Sequence, residues 1–126
     1  NGRKNRISYR LVKLDKEERV VDLNKPQLLK GFNEVTKGNG YYKARLSTAA
    51  SPKELMAGNY MLRSISKAKN TDHVIYTMES FEQYPDLHYA TLDFKKSIRL
   101  THGIDQQKDY LWGNCRTGFV DIFRWP

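Results

Sequence analysis

The chain reads as one α+β domain built on a curved, mainly antiparallel sheet or a partly closed β-barrel, with one or two short helices. Three observations predict this. A length of 126 residues supports a core without disulfides or a structural metal, and the single Cys115 agrees with that. The second half repeats short segments rich in β-branched and aromatic side chains, joined by short polar connections that favour antiparallel neighbours. Two segments in the first half carry helix-start signals instead.

Taken in order, residues 1–6 form a basic flexible arm carrying Arg3, Lys4 and Arg6, and residues 7–126 form the domain. Ile7, Tyr9 and Leu11 alternate with Ser8 and Arg10, and Arg19-Val20-Val21 follows the charged run Asp15-Lys16-Glu17-Glu18, so residues 6–22 are expected to form a hairpin. Residues 25–37 are expected to be helical. Asn24 can cap, Pro26 sits in the first turn, Leu28, Leu29, Phe32 and Val35 supply an apolar stripe, and Gly38 ends it. A strand is expected at 41–47, then a short helix opened by the capping box Ser51-Pro52-Lys53-Glu54 and closed at Gly58. Strands are expected at 60–68, 73–81, 87–94 and 97–102; residues 104–114 read as a helical turn or a loop, and 115–125 as a last, internal strand. The expected core is Leu11, Leu28, Phe32, Leu46, Leu62, Tyr76, Leu92, Leu100, Phe119 and Phe123.

No run approaches the roughly 18 consecutive apolar residues of a membrane-spanning helix, so no transmembrane segment is expected; the sequence leaves the compartment open. The common zinc, P-loop, serine-hydrolase and dinucleotide signatures are absent, so no cofactor and no metal are expected. The net charge of +8 is uneven. Residues 1–50 hold 12 Lys+Arg against 5 Asp+Glu, and residues 51–126 hold 10 against 9. A localised basic face is what phosphate backbones select, because each neutralised phosphate releases condensed counterions. On the strand Tyr41-Tyr42-Lys43-Ala44-Arg45-Leu46, alternation sets Tyr41, Lys43 and Arg45 on one face, an aromatic beside two cations that suits stacking with phosphate contact; Arg10 extends the patch. The first reading is therefore a non-enzymatic binder of nucleic acid or another polyanion through Arg10, Tyr41, Lys43 and Arg45. The same alternation also fits an edge strand whose charges discourage aggregation.

Two other readings stand beside it. Tyr76, Tyr84, Tyr89, Tyr110, Trp112, Phe119, Phe123 and Trp125 crowd the second half, and an aromatic-lined sheet can enclose an apolar cavity walled by Tyr76, Tyr89, Trp112 and Phe119. That points to an extracytoplasmic ligand-sensing domain or to a protein-interaction domain with a protein partner. The third reading is a metal-free ribonuclease-like toxin using His73, Glu79, Arg63 and His102. The spacing does not demand it, and alternation sets His88 and His102 among apolar neighbours, so the histidines are expected to be dispersed and non-catalytic. Asp86, His88 and Asp93 match no recurrent metal spacing, and Cys115 reads as a small buried side chain.

Overall fold

Gly31 decides the most consequential local choice in the chain. An interior glycine weakens a helix by about 1 kcal/mol, and an isolated helix of this length is marginal in water even without one. Strand pairing on both sides wins instead. A computed structural model of the chain describes residues 6–111 and 113. The segment expected to be helical is strand β2 (Pro26–Asn33), hydrogen-bonded antiparallel to β1 (Ile7–Leu11) and to β3 (Asn39–Arg45). The capping-box segment is likewise a strand, β4 (Lys53–Gly58), paired with β3 through a bulge. A six-residue helix has little to stabilise it, whereas the free edge of β3 satisfies the backbone of β4 directly.

The hairpin expected over residues 6–22 is not formed. Val12 N–H bonds Leu28 C=O at 2.9 Å, continuing the β1–β2 pairing, and no strand follows until Pro26. Residues 12–25 form a long connection held near its end by Asp22, which accepts Asn24 N–H on Oδ1 at 3.0 Å and the Gln27 side-chain amide on its carbonyl at 2.9 Å. The opposite end of β2 turns on Asn33, whose Oδ1 accepts Val35 N–H at 2.9 Å and Thr36 N–H at 3.0 Å, an Asx-type turn. Val35 therefore lies in solvent.

From residue 60 onward the expected strands are present, as β5 (Met61–Lys67), β6 (His73–Glu79), β7 (Asp86–Thr91) and β8 (Ser97–Arg99). A four-residue helix α1 (Ile104–Gln107) follows, the single helix among the described residues. The strands form two four-stranded antiparallel meanders, β1-β2-β3-β4 and β5-β6-β7-β8. The sheets are not closed into a barrel; Asn39 links them, its N–H bonding Tyr60 C=O at 2.9 Å and its Oδ1 accepting Leu62 N–H at 3.1 Å. The expected last strand at 115–125, with Cys115, Phe119, Phe123 and Trp125, lies outside the described residues, as do Trp112 and most of the basic arm.

The two sheets share a core of Leu28, Tyr41, Leu62, Val74, Tyr76 and Ala90. Tyr41 meets Tyr76 edge to face at 6.0 Å and stacks on Phe94 at 5.0 Å. Phe94 reaches it from a tight turn with φ 57°, a left-handed conformation costly for a bulky residue and offset here by ring burial. Leu28, Leu62 and Tyr76 are buried as expected, and Leu92 packs against the cluster. Leu11, Phe32, Leu46 and Leu100 are exposed instead, because they stand at strand ends or on the outer faces rather than over the shared core. The outer face of the first sheet is sealed differently. The Tyr42 ring lies over Gly31 and Gly40, where an added Cβ would come within 2.4 and 3.0 Å of its Cε2, and Tyr9 meets that ring edge-on at 5.1 Å. Among the described residues no helix is long and apolar enough to cross a membrane.

Candidate functional site

Directly opposed residues of antiparallel neighbours share a face. Register therefore sets Arg10, Lys30, Tyr41 and Met56 in one row on the inner face of the first sheet, and Leu28, Lys43 and Lys53 in the next. Arg45, opposite Pro26, continues the column. The grouping of Tyr41, Lys43 and Arg45 on one side of β3 is thus present, together with Arg10. That side is the one turned toward the second sheet. Tyr41 is 1% exposed in the core, so its expected role as an exposed stacking surface is corrected: it is a packing residue whose hydroxyl burial pushes far above the usual phenol range. Lys43 and Arg45 lie further along the strand, beyond the core, and are exposed.

Lys43 opens onto a cleft of about 980 Å³ at this end of the two sheets. Its floor is apolar, with Val12, Leu14, Leu28, Leu55 and Leu92, and the connection after β1 forms one wall through residues 12–18 and Val21. Cations ring it: Lys13, Lys16 and Lys25 on the first-sheet side with Lys43, and Lys67 and Lys69 at the end of β5. Asp15, Glu17, Glu18, Asp72 and Asp93 interleave with them, and Asp72 pairs with Lys67 at 3.7 Å. In the sequence Val12 and Leu14 read as part of the expected hairpin and Leu55 as the residue pinning the expected short helix to the sheet, none of them as lining a site. Alternation after Leu11 carries the signal for the first two, but their role depends on where residues 12–25 turn. The aromatic cavity expected around Tyr76 and Tyr89 is not what forms: Tyr76 is fully buried in the shared core, and Tyr89 lies on the outer face opposite Ile75 and Ile98.

A second group of polar side chains gathers at Asp86, which is fully buried on β7. Its Oδ1 accepts Thr101 Oγ1–H at 2.8 Å and Gly103 N–H at 2.6 Å, and Arg99 Nη1 stands 3.8 Å from Oδ2. Burial pushes this carboxyl up, but the Gly103 and Thr101 bonds with the Arg99 and His102 charges outweigh it and hold the group below the usual carboxylate range. His88, two residues along, stacks on Tyr76 at 5.4 Å, and burial lowers its pKa, with Asp86 opposing and Arg99 reinforcing that shift. His73 lies across the sheet, stacked on Tyr89 and hydrogen-bonded to its hydroxyl, so His73 and His88 occupy opposite faces. Glu79, the carboxylate considered for ribonuclease-like chemistry, is paired with Arg63 at 2.8 Å. No group of three metal-ligating side chains gathers among the described residues, so Asp86, His88 and Asp93 do not form one.

No family model, curated protein or solved structure matches this chain.

Proposed function

We propose that the protein is a non-enzymatic binding domain that takes an anionic amphiphile in the cleft between its two sheets, apolar body on the floor and negative head against the lysines. One observation carries this reading: an apolar floor of Val12, Leu14, Leu28, Leu55 and Leu92 lies directly beside Lys43 in a cleft of about 980 Å³. Ligand sites are concave and mostly apolar, with a few placed polar groups, and volumes of roughly 300–1,000 Å³ are ordinary for them. The reading keeps the anion preference that the basic first half implies. It does not need the stacking residue that a single-stranded nucleic-acid surface requires, since Tyr41 is committed to the core.

Isothermal titration with dodecanoate, dodecanol and dodecyltrimethylammonium tests it. Saturable binding is expected for dodecanoate, weaker binding for the alcohol and none for the cation. Lys43→Glu is expected to weaken dodecanoate about tenfold, equivalent to about 1.4 kcal/mol. Leu55→Asp is expected to abolish binding while the protein stays folded by circular dichroism. Equal affinity for the anionic and cationic detergents, or no saturation by dodecanoate, overturns the proposal. Steeply salt-dependent binding of a single-stranded oligonucleotide that Lys43→Gln with Arg45→Gln flattens by about two units of slope would return the charge to the polyanion reading.

A further inference from the structure

Among the described residues four strands form the edges of the two sheets, and three of them are blunted against further pairing. β8 is three residues long. β4 meets β3 through a bulge and carries Lys53 and Glu54, and β5 breaks its register between Arg63 and Ser66, with Leu62 already bonded to Lys30 and Asn39. β1 has none of these devices. It keeps an unbroken register with β2 from Ile7 to Leu11, and the bonds from Val12 N–H to Leu28 C=O and from Glu34 N–H to Arg6 C=O show that its even-numbered residues face β2. The N–H and C=O groups of Ile7, Tyr9 and Leu11 therefore point to the open side, where no described residue bonds them.

We propose that β1 pairs with β1 of a second copy of this chain, antiparallel about a two-fold axis between the two Tyr9 residues, joining the two first sheets into one continuous sheet. The strand is complementary to itself in this register. Ile7 falls opposite Leu11 and Tyr9 opposite Tyr9 on the outer face, apolar and aromatic cross-strand pairs that stabilise a sheet. On the inner face Arg10 falls opposite Ser8. Within one copy Arg10 stands opposite Lys30, a like-charged pair, and among the described residues it has no hydrogen bond and no ion pair. Ser8 Oγ donates to Glu34 Oε1 at 3.1 Å, so the pairing brings each Arg10 the Glu34 carboxylate of the other copy, and the two-fold does so on both sides of the axis. Ser8, Arg10 and Glu34 are all exposed. Sliding the strands by two residues one way sets Arg10 against Arg10; sliding them the other way leaves Leu11 beyond the end of the facing strand. A five-residue strand is a small contact, so the dimer is a weak one that forms as concentration rises.

Sedimentation velocity over a range of protein concentrations in reducing buffer, beside amide hydrogen exchange read by NMR on the same samples, tests this. A monomer that passes to a dimer as concentration rises is expected. The amides of Ile7, Tyr9 and Leu11 should gain protection in step with the dimer, whereas those of Ser8 and Arg10, bonded to β2 in either state, should not. Arg10→Glu sets two carboxylates against each other across the axis and is expected to raise the dimer Kd about tenfold or more. Within one copy that change places a carboxylate opposite Lys30, so the fold is kept. Glu34→Arg should weaken the dimer likewise, and the two changes together, which rebuild the pair with its signs reversed, should return Kd close to the wild-type value. A protein that stays monomeric up to about 1 mM, a dimer that leaves Ile7, Tyr9 and Leu11 unprotected, or a double variant no tighter than the single ones overturns the proposal.

Discussion

Replacing Asp86 by alanine removes a carboxylate that four groups are arranged around. Thr101 Oγ1 and Gly103 N–H lose their acceptor, and Arg99 Nη1 and His102 lose the negative charge they face. Each hydrogen bond to a charged acceptor contributes about 1.5–3 kcal/mol, and breaking a buried charged set by deleting one member costs about 3–5 kcal/mol. Asp86→Ala is therefore expected to destabilise by about 3–5 kcal/mol, and Thr101→Val, which removes the bond to Asp86 and also takes the acceptor from Leu87 N–H, by about 2–4 kcal/mol. Urea unfolding checks both; at a typical slope of about 1–3 kcal/mol per molar, the alanine variant shifts the midpoint by at least about 1 M. The pH dependence has a definite sign. The folded pKa lies below the ordinary 3.8, so this contribution is complete above that value and is lost as pH falls through the folded pKa. The gap between wild type and Asp86→Ala must then narrow in acid. A cost below about 1 kcal/mol at neutral pH, or a gap that does not change with acid, would refute the account of Asp86 as the anchor of residues 99–103.

Gly31→Ala is expected to cost about 1–3 kcal/mol by overpacking, since the new Cβ would meet the Tyr42 ring at 2.4 Å; in a Tyr42→Leu background most of that cost should vanish, a coupling that a double-mutant cycle in urea measures. His88, held neutral by burial, takes its proton in the unfolded chain first as pH drops below 6.5, so stability should decline from there by up to about 1.36 kcal/mol per pH unit until the folded pKa is reached, and His88→Phe should remove that slope. Phe32→Ala should cost less than about 1.5 kcal/mol, well short of the 3–5 kcal/mol of a fully buried phenylalanine, because Phe32 is 39% exposed beneath Lys37; thermal or chemical melts decide this.

The strands from residue 61 to 99 were legible because two independent signals agreed there: β-branched and aromatic alternation, and polar turns such as Lys69-Asn70-Thr71-Asp72 between them. In β2 they did not agree. Leu28 and Leu29 are adjacent and both buried, one in the shared core and the other on the outer face closed over by the aromatics, so the segment shows no period of two. A stripe at i, i+1, i+4 and i+7 then mimics a helix, and the contrary signal was Gly31, whose reason is a tyrosine eleven positions further along the chain. The same ambiguity hid the site. Alternation in β3 placed Tyr41, Lys43 and Arg45 on a single face, but Tyr41 and Tyr42 are both buried, so nothing in the strand itself says which side meets the second sheet. That is settled by partners distant in sequence, Tyr76 and Phe94 for Tyr41, and Gly31 with Tyr9 for Tyr42. Once Tyr41 points inward, Lys43, two residues further along, must point the same way, past the end of the core. The connection over residues 12–25, too long for a hairpin turn, then lies along the space Lys43 faces, so the charge that reads as a surface patch in the sequence becomes the rim of a cleft.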